Sequence, residues 1–401
     1  MGSSCKTILC TTNLVPEKQK EKIFFGEYSG FQRYDNPTYK FAVTMEEKQR
    51  NAFWNPKEIS MTSDAIKFFE LPEFIQEVMI RIWLFQTLMD SAQNSGLEEV
   101  LASLCTNPEF EAMFKTQGYF ELIHSLSYSH ILRGIFADSS VIFDKIGDYP
   151  EIQKRVDKEI KLYARVKNID SITDETEKKK LILELLVSIL ALEGIKFQVS
   201  FLVTYIINNS YNNKIQGAAR IIKLINFDED LHTSMISGTI QILRRSTDEG
   251  FSDLIKSDWF TEMATKVFTD VLKDEMEFTR YLLSFGDIPT LTEPVVEQFM
   301  KYYVDDRLAS IGVEKAFGQE KTDVVQWFES YKDINKDNTA QQEAEGTAYS
   351  IGIMQDDMSD DFSFIPEDRK EIFKKFYRES INDINIEVKQ LIDEDVRSSN
   401  E

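Results

Sequence analysis

No proline occurs between Pro150 and Pro289, and the whole 401-residue chain holds only 16 glycines and 9 prolines. Both residues interrupt helices, so a long stretch without proline and with apolar residues at helical spacing points to long helices, not to a turn-rich β fold. The pattern predicts a helix opened by Pro72 and running through IRIWLFQTLMD to about Asn94, with Gly96 as its stop. Asn107-Pro108-Glu109 supplies an N-cap, a first-turn proline and a first-turn acid to a helix lasting to about Ile135. Further helices are expected over about 176–208, 215–245, 257–284 and 292–306. Neither an alternating strand pattern nor an internal repeat is evident. The expected fold class is all-α.

With 46 basic and 68 acidic side chains the formal net charge is -22, which argues against wrapping nucleic acid or an anionic membrane. At 42% hydrophobic residues the chain can bury a sizeable core. Its most apolar stretch, about 181–207, carries Glu184, Glu193, Lys196 and Gln198 and makes a poor membrane span. Cys5, Cys10 and Cys105 form neither a disulfide framework nor a zinc site. The N-terminus has no secretory apolar run, and Lys6 breaks the myristoylation pattern. A cytoplasmic protein is expected.

Residues 1–22 read as a polar leader and 23–330 as the helical domain. Residues 331–364 read as a mobile acidic tail: from Asp337 to Asp368 there are nine acids and no lysine or arginine. The last stretch, 365–401, regains apolar spacing at Ile372, Phe376, Ile384, Val388 and Leu391, as in an amphipathic helix.

Two of the three histidines share one local pattern, Glu-x-x-His: Glu121/His124 and Glu229/His232. Residues three apart lie on one helix face, so each pair presents a carboxylate and an imidazole to the same point. Two such pairs, with one carboxylate from each of two other helices, make the di-metal site of a four-helix bundle. Asp90 in WLFQTLMD and Glu193 in LLVSILALEGIKF are the candidates for the other two. An ionised carboxylate amid so much apolar surface costs several kcal/mol unless it is paired or metal-bound. One Glu-x-x-His is commonly a surface pair or a cap; two on separate helices are not. The oxygen-rich set with two imidazoles suits iron or manganese.

Tyr128 follows His124 by four residues and projects from nearly the same face. Phe197 and Phe201 follow Glu193 at four-residue steps, and Ile225 precedes Glu229 by four. These would wall a phenol beside a metal pair with dry apolar surface.

The motif series FFGEYSGFQRYD, FWNPKEI, QTLMDSAQ, ELIHSLSYSHI, LALEGIKFQVSF, DEDLH and GTAYSIG resembles, in order and spacing over about residues 24–364, the small, radical-generating (β) subunit of class I ribonucleotide reductase. The resemblance implies a ferritin-like bundle with two iron ions in a di-iron-oxo centre, manganese or a mixed pair remaining open. Asp90, Glu121 and His124 would bind the first metal, and Glu193, Glu229 and His232 the second. Tyr128 matches the tyrosine oxidised to a stable radical with O2 and an electron donor, and Phe197, Phe201 and Ile225 match its pocket. Trp54 matches the first relay tryptophan, Asp228 the carboxylate linking it to His124, Tyr349 the interfacial relay tyrosine, and Glu343 an acid that assists it. The implied partners are a second copy of the chain and the large (α) subunit, where ribonucleoside diphosphates are reduced. No nucleic acid or membrane partner is expected.

The chain also departs from the family pattern. Phe227 stands where an arginine is common, the region 165–180 lacks a hairpin found in some members, and about 37 residues follow DDFSF, where members normally end. His130 matches a non-ligand position and is expected to be a buried hydrogen-bonding residue. The rival functions are another ferritin-like di-metal oxidase or iron-storage relative, which needs no Trp54–Asp228 relay, and a helical scaffold that only binds the large subunit.

Overall fold

A computed structural model describes residues 22–28, 30–333 and 381–400. Among them no strand occurs; one isolated antiparallel bridge joins Phe24 to Cys105. The helices are α1 (Lys40–Asn51), α2 (Thr62–Lys67), α3 (Glu73–Gly96), α4 (Pro108–Ile135), α5 (Ser140–Asp144), α6 (Pro150–Gln153), α7 (Asp157–Lys167), α8 (Glu175–Ala191), α9 (Gln198–Ser210), α10 (Gln216–Arg245), α11 (Ser252–Ile255), α12 (Asp258–Leu283), α13 (Glu293–Ser310), α14 (Asp323–Lys332) and α15 (Ile381–Asn400). Helices α3, α4, α8–α9 and α10 form the central four-helix bundle, with α1, α7, α12, α13 and α14 packed around it. This is the expected all-α, ferritin-like architecture.

The start of α4 follows from its local sequence. The Asn107 side chain accepts a hydrogen bond from Phe110 N at 2.9 Å, Pro108 occupies the first turn, and Glu109 faces the positive end of the helix. At α8 the Asp174 carboxylate does the same for Thr176 N at 2.8 Å. Helices α8 and α9 are one rod, Glu175–Ser210, broken in register by a π turn at Leu192–Lys196. Among the described residues this rod alone is long and apolar enough to cross a membrane, and it is buried inside the bundle.

Helix α3 ends at Gly96, as expected, but the rod does not stop there. The chain runs on through a π turn, Leu97–Ala102. A Cβ at Gly96 would lie 2.1 Å from the Tyr163 ring, so the glycine admits a neighbouring aromatic instead of breaking the helix. Helix α1 was not anticipated. Its first turn has no acid and its N-cap Tyr39 makes no side-chain cap bond, so the usual start signals are missing.

The buried lysines Lys196 and Lys332 are paired. Lys196 in the α8–α9 π turn meets Glu159 at 2.6 Å. Lys332, at the end of α14, reaches Asp230 at 3.0 Å and Glu329 at 3.2 Å, tying α14 to α10 one residue beyond Glu229. Helix α15 returns to the body against α1 and α10 with Val388 and Ile392 buried and Leu391 half-buried. Ile372 and Phe376, Tyr349 and Glu343, Cys5 and Cys10, and the leader up to residue 21 lie outside the described residues. Cys105 is a buried free thiol.

Candidate metal centre

Four rods each deliver side chains to one point in the bundle. Helix α3 carries Asp90, α4 carries Glu121, His124 and Tyr128, the π turn after α8 carries Glu193, and α10 carries Asp228, Glu229 and His232. A π turn inserts one extra residue per turn and re-aims the side chain it holds, here the only candidate carboxylate on its rod. Asp90, Glu121, His124, Glu193, Glu229 and His232 are all buried.

The distances divide them into two overlapping groups. Ligand atoms of Asp90, Glu121 and His124 lie within 4.8 Å of one another, as do those of Glu121, Glu193, Glu229 and His232. Two carboxylates span both imidazoles. Glu121 places Oε2 at 3.4 Å from His124 Nδ1 and Oε1 at 3.0 Å from His232 Nδ1. Glu229 places Oε1 at 3.3 Å from His124 Nδ1 and Oε2 at 3.3 Å from His232 Nδ1. Asp90 lies at one end, 3.9 Å from His124 Nδ1, and Glu193 at the other, 3.5 Å from His232 Nδ1. The two imidazole centroids are 5.8 Å apart.

The outer nitrogen of each ring is already engaged. His124 Nε2 is 3.1 Å from Asp228 Oδ2, which also accepts from Trp54 Nε1 at 2.8 Å. His232 Nε2 is 2.6 Å from the Gln49 amide. With that amide turned so that its otherwise unpartnered oxygen faces the ring, Nε2–H donates to it. In the neutral ring that this bonding favours, Nδ1 is the unprotonated nitrogen and is aimed inward, the arrangement in which an outer hydrogen bond fixes the tautomer of a metal-binding histidine.

Burial is the largest influence on the acidity of these groups. It pushes the Asp90 and Glu229 carboxyls well above their ordinary values, neighbouring carboxylates adding to the effect. At Glu121 burial works in the same direction, but the two facing imidazoles outweigh it and draw the group to about 2. Burial works downward on His124 and His232, yet the facing carboxylates hold both well above the usual range.

The test of fit is what the inward atoms touch. Both oxygens of Asp90, Glu121 and Glu229, Oε2 of Glu193 and Nδ1 of both histidines are buried without a conventional hydrogen-bond partner. Such groups are rare in native interiors unless something binds them. Four carboxylates and two neutral imidazoles balance two divalent cations. The cluster can hold a di-metal site.

The structure also shows supporting residues that the sequence patterns did not single out. Gln93 Nε2 donates to Glu193 Oε1 at 2.6 Å, Gln117 Nε2 donates to the same oxygen at 3.2 Å, and Tyr163 Oη donates to Gln93 Oε1 at 2.5 Å. Gln93 follows Asp90 by three and Gln117 precedes Glu121 by four, a same-face signal that could have found both. For Gln49 no comparable spacing exists.

The Tyr128 hydroxyl is fully buried beside the Asp90 carboxylate. Burial first, then the Asp90 and Glu229 carboxylates, push its pKa well above the ordinary value. Phe197, Phe201 and Ile225 are fully buried, and the two phenyl rings stack at 5.8 Å. Phe227 is partly buried against the core. His130 is half-buried, not buried as expected, because it sits at the α4 edge, where Nε2 meets Ile59 O at 2.9 Å.

The family model for the ribonucleotide reductase small chain matches residues 33–324. The ribonucleoside-diphosphate reductase subunit beta of Buchnera aphidicola subsp. Baizongia pistaciae is 30% identical over 358 residues, 85% of this chain and 94% of that protein. The subunit beta of Enterobacteria phage T4 is 29% identical over 370 residues, with 85% and 94% covered. Among solved structures, the ribonucleotide reductase R2 subunit from Clostridium botulinum shares the fold with a TM-score of 0.72 at 21% identity, covering 82% of this chain and 98% of that one. The dimanganese(II)-NrdF of Streptococcus sanguinis gives a TM-score of 0.58 at 21% identity, covering 75% and 99%. The chain belongs to the ribonucleotide reductase small-chain family, and its role is that of the small subunit.

Proposed function

We propose that this small subunit generates a radical on Tyr128 and passes the oxidising equivalent to the large subunit of a class I ribonucleoside-diphosphate reductase. Asp90, Glu121 and His124 would hold one metal ion, and Glu193, Glu229 and His232 the other. A redox-active pair, iron by preference and manganese by alternative, supplies the oxidising power of O2 when bound, with an external electron donor completing the balance. The observation that carries this reading is the set of inward ligand atoms left without partners around two imidazoles whose outer nitrogens are fixed.

The chain's own residues then have separable tasks. Tyr128 gives up an electron and its hydroxyl proton beside Asp90, whose charge acts on that hydroxyl most after burial itself. Phe197, Phe201 and Ile225 keep water from the phenol. Asp228 joins His124 to Trp54 and so offers a path out of the centre. Tyr349 and Glu343 would continue it in the tail; what supports them is the motif match of GTAYSIG and its neighbourhood. The excess of acidic side chains suits a large protein partner in the cytoplasm and no nucleic acid.

A second copy of the chain fits the outer face of α4. Tyr119, Leu122 and Leu126 lie 41–49% exposed at helical spacing, and Phe53 stacks on Tyr119 at 6.4 Å. Leu126→Glu should shift a dimer to monomer in analytical ultracentrifugation.

The functional test is aerobic reconstitution with ferrous iron followed by EPR. A tyrosyl signal that disappears in Tyr128→Phe, together with diphosphate reduction once the large subunit is added, supports the proposal. A loaded centre with no tyrosyl signal under any of iron, manganese or the mixed pair overturns it.

A further inference from the structure

We propose that α15 is a strap that fixes the position of α1, with Asp395 as its chief positioning residue. Helix α1 has 12 residues, a length at which an isolated helix is marginal in water. Its own sequence offers no acid in the first turn and no side-chain cap at Tyr39, so its leading N–H groups need partners from elsewhere. Asp395 supplies them: Oδ1 accepts from Lys40 N at 3.1 Å and Oδ2 from Phe41 N at 2.9 Å. A carboxylate from the far end of the chain thus performs the work of an N-cap and complements the positive end of the helix dipole.

The rest of α15 holds that carboxylate in place. Val388, Ile392 and Asp395 recur at four and three residues, one face of a helix, and all three are buried. Glu387 pairs with Lys48 at 2.5 Å, near the other end of α1, while Asp393 pairs with Arg245 at the end of α10. The strap therefore grips α1 at both ends and is itself pinned to the helix that carries Asp228, Glu229 and His232.

Helix α1 reaches the centre by two routes. Gln49 contacts His232 Nε2 at 2.6 Å, and three residues beyond the helix end Trp54 donates to Asp228 at 2.8 Å. A shift of α1 would move both contacts without touching an inward ligand atom. Asp395 acts through α1 and touches no reacting atom, so its loss should loosen both the Gln49 support of His232 and the Trp54–Asp228 link.

The exchange part of the test needs no metal, and only the transfer part rests on the function proposed above. Amide hydrogen exchange by mass spectrometry is followed in the metal-free full-length chain, in Asp395→Ala, in Asp395→Asn and in a chain ending at residue 380. Peptides over residues 40–51 should exchange about tenfold faster in Asp395→Ala, the loss of one cap, and faster still without α15. Asn accepts fewer of the two amide bonds and should fall between; peptides from α4 and α8 should not change. After metal loading, diphosphate reduction per tyrosyl radical, measured with the large subunit, should fall at least severalfold in Asp395→Ala. Unchanged exchange over residues 40–51 in both Asp395→Ala and the shortened chain overturns the strap, whatever the protein's activity. Accelerated exchange with an equal fall in radical yield and turnover overturns the positioning role.

Discussion

Trp54 and His124 share one oxygen of Asp228. The indole Nε1–H donates to Oδ2 at 2.8 Å, and the imidazole Nε2 lies 3.1 Å from the same atom. All three side chains are buried, so the link runs through protein interior and not through surface water. One carboxylate oxygen therefore orients a candidate ligand and connects it to the Trp54 indole.

Replacing Asp228 by alanine strands the Trp54 donor and frees the His124 ring to turn. An unpaired buried donor costs about 1–3 kcal/mol. The expected outcome is a loss of that order in urea denaturation and a fall in diphosphate reduction of about a hundredfold or more, each 1.4 kcal/mol being tenfold in rate. Full turnover in Asp228→Ala would show that no relay runs through this carboxylate.

Glu121 and Glu229 each give one oxygen to either half of the cluster, whereas Asp90 and Glu193 sit at opposite ends. Elemental analysis after anaerobic loading should therefore find both ions weakened in Glu229→Ala but chiefly one in Asp90→Ala. Equal stoichiometry in the two variants would contradict the bridging geometry.

How much of this was legible in the sequence depends on whether the signal was local. The cap of α4, the two Glu-x-x-His pairs and the buried acids Asp90 and Glu193 are written in neighbouring residues, and the helices place them. What needed coordinates were partnerships across the chain: Gln49 with His232, Tyr163 with Gln93, and Asp395 with α1. Gly96 shows the reverse case. A glycine near the end of a periodic run reads as a stop, but the contact that requires it comes from Tyr163, which no local pattern reveals.

That contact makes Gly96→Ala informative. The added methyl would press into the Tyr163 ring, whose hydroxyl donates to Gln93 behind Glu193. Overpacking of this kind costs about 1–3 kcal/mol. A matching drop in denaturation midpoint is expected, with weaker metal retention in dialysis against a chelator. Retention equal to wild type would show that the Tyr163–Gln93 support does not set the position of Glu193.

Glu249 gives the fold a pH dependence of its own, away from the metal centre. Burial raises its carboxyl from 4.5 to about 7, against hydrogen bonds from Tyr39 and Ile23 N that pull it down. Because the folded state then binds the proton more tightly, this contribution to stability is present below about pH 4.5 and is lost as pH rises through about 7. The full shift corresponds to roughly 3 kcal/mol. In urea denaturation, the stability of Glu249→Gln relative to wild type should improve by that order between pH 4.5 and pH 8. A difference that stays constant with pH would show that Glu249 titrates normally.

Six side chains from four helical rods should grip two ions. Anomalous diffraction from crystals of the full chain soaked anaerobically in manganous or ferrous salt tests it most directly. Two peaks are expected, one among Asp90, Glu121 and His124 and the other among Glu193, Glu229 and His232. A single peak, or none between these residues, would contradict it.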